Sequence, residues 1–192
     1  MIRTASCLAL IALAVPALSA PPTPPSPPSA PAAPAAPPAP TAALKAEYLA
    51  EIADVQDKLH QLAEEFPEAK YSWRPAEGIR SVSEVFLHVA GGTYFLTRMA
   101  GFPTPADVPK QIEKIVGKKE VIAQLDKSFD HLRAAVAAAT PESMAKEVDF
   151  FGQKSTVRGM YMKAYGHMSE HLGQAIAYAR STGVVPPWSK SE

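Results

Sequence analysis

Residues 156–181 read TVRGMYMKAYGHMSEHLGQAIAYARS. The stretch reads as one helix, ended by Gly183. Positions 160, 164, 167, 171, 175 and 178 share one face: Met160, Ala164, His167, His171, Ala175 and Tyr178. That face is apolar except for two histidines four residues apart. They are either two ligands of one metal ion or two polar side chains on a common face. The other histidines and the working compartment of the chain bear on the choice.

Three further helices are legible upstream. The first spans about Thr41–Phe66, with Leu44, Tyr48, Ile52, Val55, Leu59, Leu62 and Phe66 along one stripe. Thr41 is its N-cap and Pro67 its stop. The second starts at Ser81 with Glu84 three residues on, a capping box, and runs to about Ala100 before Gly101. The third covers about Lys118–Ala139, with Ile122, Leu125, Phe129, Leu132, Val136 and Ala139 inward and Pro141 marking its end. Residues 148–157 read as an extended segment with a turn, and the tail after Gly183 docks through its apolar side chains. Four helices of about 20 residues point to an all-α four-helix bundle. The long connections argue against an up-down-up-down arrangement with tight turns.

The N-terminus predicts export. Arg3 is followed by the short apolar run Cys7–Val15 and then by small residues, the layout of a secretory signal peptide over residues 1–19. Cleavage after Ala17 or Ser19 leaves small residues at the right places. The run is too short to span a bilayer, which takes about 20 apolar residues, so no stable span remains after cleavage. Cys7 is the only cysteine and leaves with the signal. The mature chain then has neither disulfide nor thiolate ligand, and any metal must be held by nitrogen and oxygen. Residues 20–40 are a Pro/Ala-rich linker with 11 prolines in its last 20 positions and no charge. As a polyproline-II tether it reaches roughly 60 Å. It places a domain over 41–192 in the periplasm or cell envelope.

The chain has 19 Lys plus Arg and 19 Asp plus Glu, and Arg3 is the only charge before residue 41. The domain is therefore near neutral, which excludes a nucleic-acid footprint or a polybasic lipid patch.

Of the five histidines, His60 and His131 sit beside the stripes of their helices and read as boundary or exposed residues. On the second helix, Ser81, Val85, His88, Gly92, Phe95 and Met99 form one face, which puts His88 in the middle of an inward stripe. With His167 and His171 that makes three inward histidines. Buried without partners, each would cost desolvation energy, and a shared cation would remove that cost. Hydrogen bonds within the core are the other way to satisfy them.

At this point the sequence resembles the DinB/YfiT-like superfamily. The resemblance covers 41–192. It rests on Trp73-Arg74-Pro75 followed by Ser81 through His88, on Phe150-Phe151-Gly152 followed by Thr156-Val157-Arg158, and above all on His167 through Gln174. It implies a four-helix bundle with long crossover connections. It also implies a divalent metal (zinc, nickel or iron) on His88, His167 and His171. Some members of that superfamily move groups onto or off low-molecular-weight thiols.

The resulting expectation is an exported metal-dependent enzyme of hydrolase or thiol-dependent transferase type acting on a small molecule. Tyr94, Tyr161, Tyr165 and Glu84 are candidates to line its pocket. The alternative is a non-catalytic metal-binding or structural module of the cell envelope. Self-association as a homodimer is a further expectation, with the segment around Phe150-Phe151 as candidate interface.

Overall fold

The computed structural model describes residues 42–190. The expected signal peptide over residues 1–19, the Pro/Ala-rich stretch over 20–40 and the expected Thr41 cap lie outside the described residues. The elements are α1 (Ala42–Glu65), α2 (Val82–Met99), α3 (Lys118–Ala138), α4 (Pro141–Met144), β1 (Glu147–Phe150), β2 (Gln153–Thr156) and α5 (Val157–Ser181), with 3-10 turns at 68–70, 112–114 and 187–189. Among the described residues no helix is long and apolar enough to cross a membrane.

The four long helices start and stop for local reasons. Ser81 accepts from the Glu84 amide at 3.3 Å while the Ser81 amide donates to the Glu84 carboxylate at 2.7 Å, the reciprocal box expected at the head of α2. Thr156 caps α5 by accepting from the Gly159 amide at 3.1 Å. Pro141 does more than end α3. It is the first residue of the one-turn helix α4, capped by Thr140.

Both α1 and α2 pack against α3 and α5, so consecutive α1 and α2 stand on a diagonal of the bundle. The connection over 66–81 therefore crosses the end of the bundle instead of turning tightly. Phe66, just past the end of α1, and Phe86, near the start of α2, meet edge to face at 6.1 Å beside this connection. In the same core Ile52, Leu59, Leu62, Leu87, Leu125, Leu132, Met160 and Met168 are fully buried. The tail docks as its composition predicts, with Val184 buried and Trp188 packed against the core.

Two stripes depart from the sequence expectation. Leu44 is 47 % exposed, so the buried stripe of α1 begins farther along. On α2 the core face is Val82, Val85, Phe86, Val89, Ala90, Thr93 and Leu96, whereas His88, Gly92, Phe95 and Met99 are only partly covered. The stripe that carries His88 is therefore one sector away from the core. It faces a cleft.

The extended segment is a two-stranded antiparallel hairpin with Phe150 opposite Gln153. Its two-residue turn, Phe151-Gly152, has φ of 54° and 80°. Two consecutive left-handed residues match the right-handed twist of the strands.

Candidate metal centre

His88 comes from the middle of α2, and His167 and His171 from successive turns of α5. A ring nitrogen of each lies within 4.8 Å of the other two. The ring centroids are 5.1 Å (88–167), 4.8 Å (88–171) and 4.6 Å (167–171) apart. The structure thus brings together the three histidines that the stripes single out.

Each imidazole is oriented by a different device. His88 Nδ1 is 2.7 Å from Glu113 Oε1. An ionised carboxylate only accepts, so Nδ1 carries the proton and Nε2 keeps its lone pair. His171 Nδ1 is 2.8 Å from Gln174 Oε1. The Gln174 amide nitrogen donates to the Tyr178 hydroxyl at 3.1 Å, and that hydroxyl donates to the Arg80 carbonyl at 3.1 Å. This chain fixes which end of the amide faces His171. Nδ1 is again the donor and Nε2 is free.

His167 is held by space. A Cβ on Gly92 would stand 2.3 Å from His167 Cε1, so only glycine leaves room for the ring. Its Nδ1 is buried and has no hydrogen-bond partner among the described residues. Burial, then His171, His88 and Arg80, push its pKa down to about 4. The ring is therefore neutral at pH 7.

The three rings fit a divalent ion by their donor chemistry. His167 Nε2 and His88 Nε2 face each other at 3.3 Å. With the His88 proton on Nδ1 and no partner at His167 Nδ1, His167 Nε2–H donates to His88 Nε2, and a divalent cation would take the place of that proton. The set of three imidazoles, with Nδ1–H of two of them on a carboxylate and an amide, suits first-row divalent metals.

Glu113 is a residue that helix periodicity does not single out. It sits 25 positions from His88, in the proline-bearing connection between α2 and α3. The 3-10 turn that carries it docks on α2 where Gly91 lets Ile112 approach; an added Cβ would be 3.3 Å from Ile112 Cγ2. Its other carboxylate oxygen lies 3.6 Å from Arg80 Nε.

His88 and His167 open onto a cavity of about 600 Å³, lined also by Phe95, Phe150, Lys163 and Glu170. A neighbouring depression of about 580 Å³ shares Glu113 with it and is lined by Arg74, Arg80, Glu84 and Gln174.

Several expected pocket residues lie elsewhere. Tyr94 packs on His131 at 5.2 Å. Tyr161 donates to the Ala135 carbonyl, and Tyr165 meets Tyr48 edge to face. Glu84 is occupied by its capping box and by Arg74, and faces the neighbouring depression only. His60 is half-exposed and pairs with Asp126 at 2.8 Å, as a boundary residue should. His131 corrects the sequence reading. It is 8 % exposed, wedged between Tyr94 and Phe102, because α3 buries a wider sector than its apolar stripe.

A helical bundle with a diagonal first connection and three imidazoles converging from its second and last long helices defines a metal-capable class of bundle. The family model of the DinB superfamily matches residues 51–175, and the chain belongs to that superfamily. It is 25 % identical over 128 residues to the uncharacterized protein YjoA of Bacillus subtilis, a match covering 65 % of this chain and 81 % of that one. Two solved structures share the fold. The DinB-like protein YjoA of Bacillus subtilis superposes with a TM-score of 0.59 at 20 % identity, covering 72 % of this chain and 93 % of that one. A DinB-like protein from Bacillus cereus gives 0.64 at 17 % identity, covering 73 % and 93 %.

Proposed function

We propose that the chain is an exported metal-dependent enzyme, with one divalent ion held by His88, His167 and His171. The carrying observation is that three oriented imidazoles converge, two of them, His88 and His167, lining an open cavity. Catalytic metal sites use three protein ligands and leave room for a reactant, whereas structural sites are closed by a fourth. When bound, the metal supplies Lewis-acid polarisation of an oxygen.

The chain's own residues do the rest. Glu113 and Gln174 hold the Nδ1 protons of His88 and His171, keeping both Nε2 atoms as donors of lone pairs. Phe95, Leu96 and Phe150 give the cavity an apolar wall. Glu170 lines the same cavity and makes no hydrogen bond or ion pair among the described residues. Its carboxylate is the group placed to take a proton from an incoming nucleophile. Hydrolysis is favoured over thiol transfer, since an oxidising envelope compartment keeps few free thiols. The N-terminal layout supports export, with a mature chain that begins near residue 18 or 20.

The test combines elemental analysis with turnover. The mature protein purified from the envelope should carry one zinc, nickel or iron and hydrolyse members of an ester and amide panel. Glu170→Gln should keep the metal and lose roughly 10²–10⁴-fold in kcat. A fully loaded protein without turnover on hydrolytic and thiol-transfer panels would make this a metal-binding module and overturn the enzymatic reading.

A further inference from the structure

The tip of the hairpin breaks a local rule. The turn needs φ above zero at both central positions, where Gly, Asn and Asp are favoured, yet the first is Phe151 at φ 54°. The residue is 80 % exposed. A strained aromatic left in water is a choice that stability does not explain.

The ring is nonetheless held. It stacks on Phe95 at 5.9 Å and 19°, and meets Phe150 at 4.7 Å and 67°. Phe95 and Phe150 line the cavity that His88 and His167 open onto. Phe95 lies two turns beyond His88 on α2, about 10 Å along the axis, and Lys163 one turn before His167 on α5, about 6 Å. We propose that Phe95, Phe150 and Phe151 form the subsite for a flat aromatic group of the substrate, carried a few bonds away from the reacting group at the histidines.

Two cations decide against a positively charged ligand. Lys163 Nζ sits 4.8 Å from the centre of the Phe150 ring, and the Arg98 guanidinium 5.6 Å from that of Phe95. Those ring faces already have their cations. What the wall offers is ring edges and the open face of Phe151, which suit another aromatic ring, edge-on or offset. Lys163 leaves an ammonium beside the path from rings to imidazoles, matched to an oxygen-bearing linker. This subsite rests on the metal-site reading above.

The test uses the mature chain loaded with Co²⁺ and two probes with the same chelating group, acetohydroxamate and 3-phenylpropionohydroxamate, followed by the visible cobalt spectrum. The wild type should bind the phenyl probe at least about tenfold more tightly. Phe151→Gly should lose most of that preference, keep its cobalt stoichiometry and its acetohydroxamate affinity, and show an unchanged or higher Tm, because glycine suits the turn. If Tm falls together with the preference, Phe95→Leu decides, and its phenyl preference must fall too. A wild-type ratio near one overturns the subsite and leaves the metal centre standing. Failure to take up cobalt overturns the metal reading and the subsite with it. A dimer that becomes monomeric in Phe151→Gly with the ratio unchanged assigns the hairpin tip to a second copy of the chain and overturns the proposal.

Discussion

His131 and the His88–His167–His171 cluster are two ways for one bundle to cover imidazole. His131 is almost wholly enclosed, between the rings of Tyr94 and Phe102, with Nε2 unpartnered among the described residues. Among the described residues no second imidazole stacks on it and no carboxylate bonds it. The cluster is less buried, with His88 at 26 % side-chain exposure, yet every ring is placed by something: Glu113, Gln174 or the space left by Gly92. Burial without a group that orients the ring therefore marks a packing histidine. Oriented lone pairs that converge beside open space mark a site.

The largest expected effect is at the glycine that makes room for His167. Gly92→Ala puts a methyl 2.3 Å from the ring. The ring must swing away, with at least about 100-fold loss of metal affinity by competitive chelation and about 1–3 kcal/mol of stability from overpacking. Unchanged affinity would mean that His167 takes no part in binding.

The opposite region should respond in stability alone. His131→Ala leaves a void among aromatic rings and should cost about 2–4 kcal/mol in urea unfolding, with metal affinity unaltered. His131→Leu fills the space without an unpaired nitrogen and should be near neutral or stabilising. A loss of metal in either variant would erase the distinction between the two regions.

A smaller effect belongs to Glu113. Glu113→Ala frees His88 Nδ1 from its carboxylate and should weaken metal binding by about tenfold or somewhat more, without a large change in Tm. An effect as large as that of removing a ligand would place Glu113 in the coordination sphere itself.

The smallest prediction is a pH dependence in the presence of chelator. Burial lowers the pKa of His131, and burial with its neighbours takes that of His167 to about 4. The unfolded chain binds protons at both near the ordinary value of 6.5. Between those limits the unfolded state holds more protons, so stability rises with pH. The urea midpoint should fall from pH 7.5 to pH 5, and fall less in His131→Leu. A flat profile would show that neither ring is kept neutral by the fold.

The helices were legible because each carries its own stripe and its own cap. Ser81 with Glu84, Gly101 and Gly183 mark boundaries through interactions three or four residues long. The i, i+4 pair His167–His171 is local in the same way. His88 was found by counting along a stripe, but that stripe faces a cleft and not the core. Periodicity gives the angle between residues on a helix and leaves open which sector the neighbours cover. His131 went the other way for the same reason. Glu113 had no local signal, since its role depends on how an irregular connection folds over α2. A turn within 148–157 was visible, though its place at Phe151-Gly152 was not. Its contact with Phe95, 56 positions upstream, was not, because contacts between irregular segments and helices follow no period.

The most direct measurement is metal stoichiometry and affinity in two single-histidine variants of the same chain. His171→Ala removes one of three converging nitrogens, while His131→Ala removes the imidazole with the least solvent exposure among the described residues. The account predicts one tightly bound divalent ion in the wild type and in His131→Ala, and loss of tight binding in His171→Ala. Full stoichiometry and affinity in His171→Ala, with their loss in His131→Ala, would contradict it.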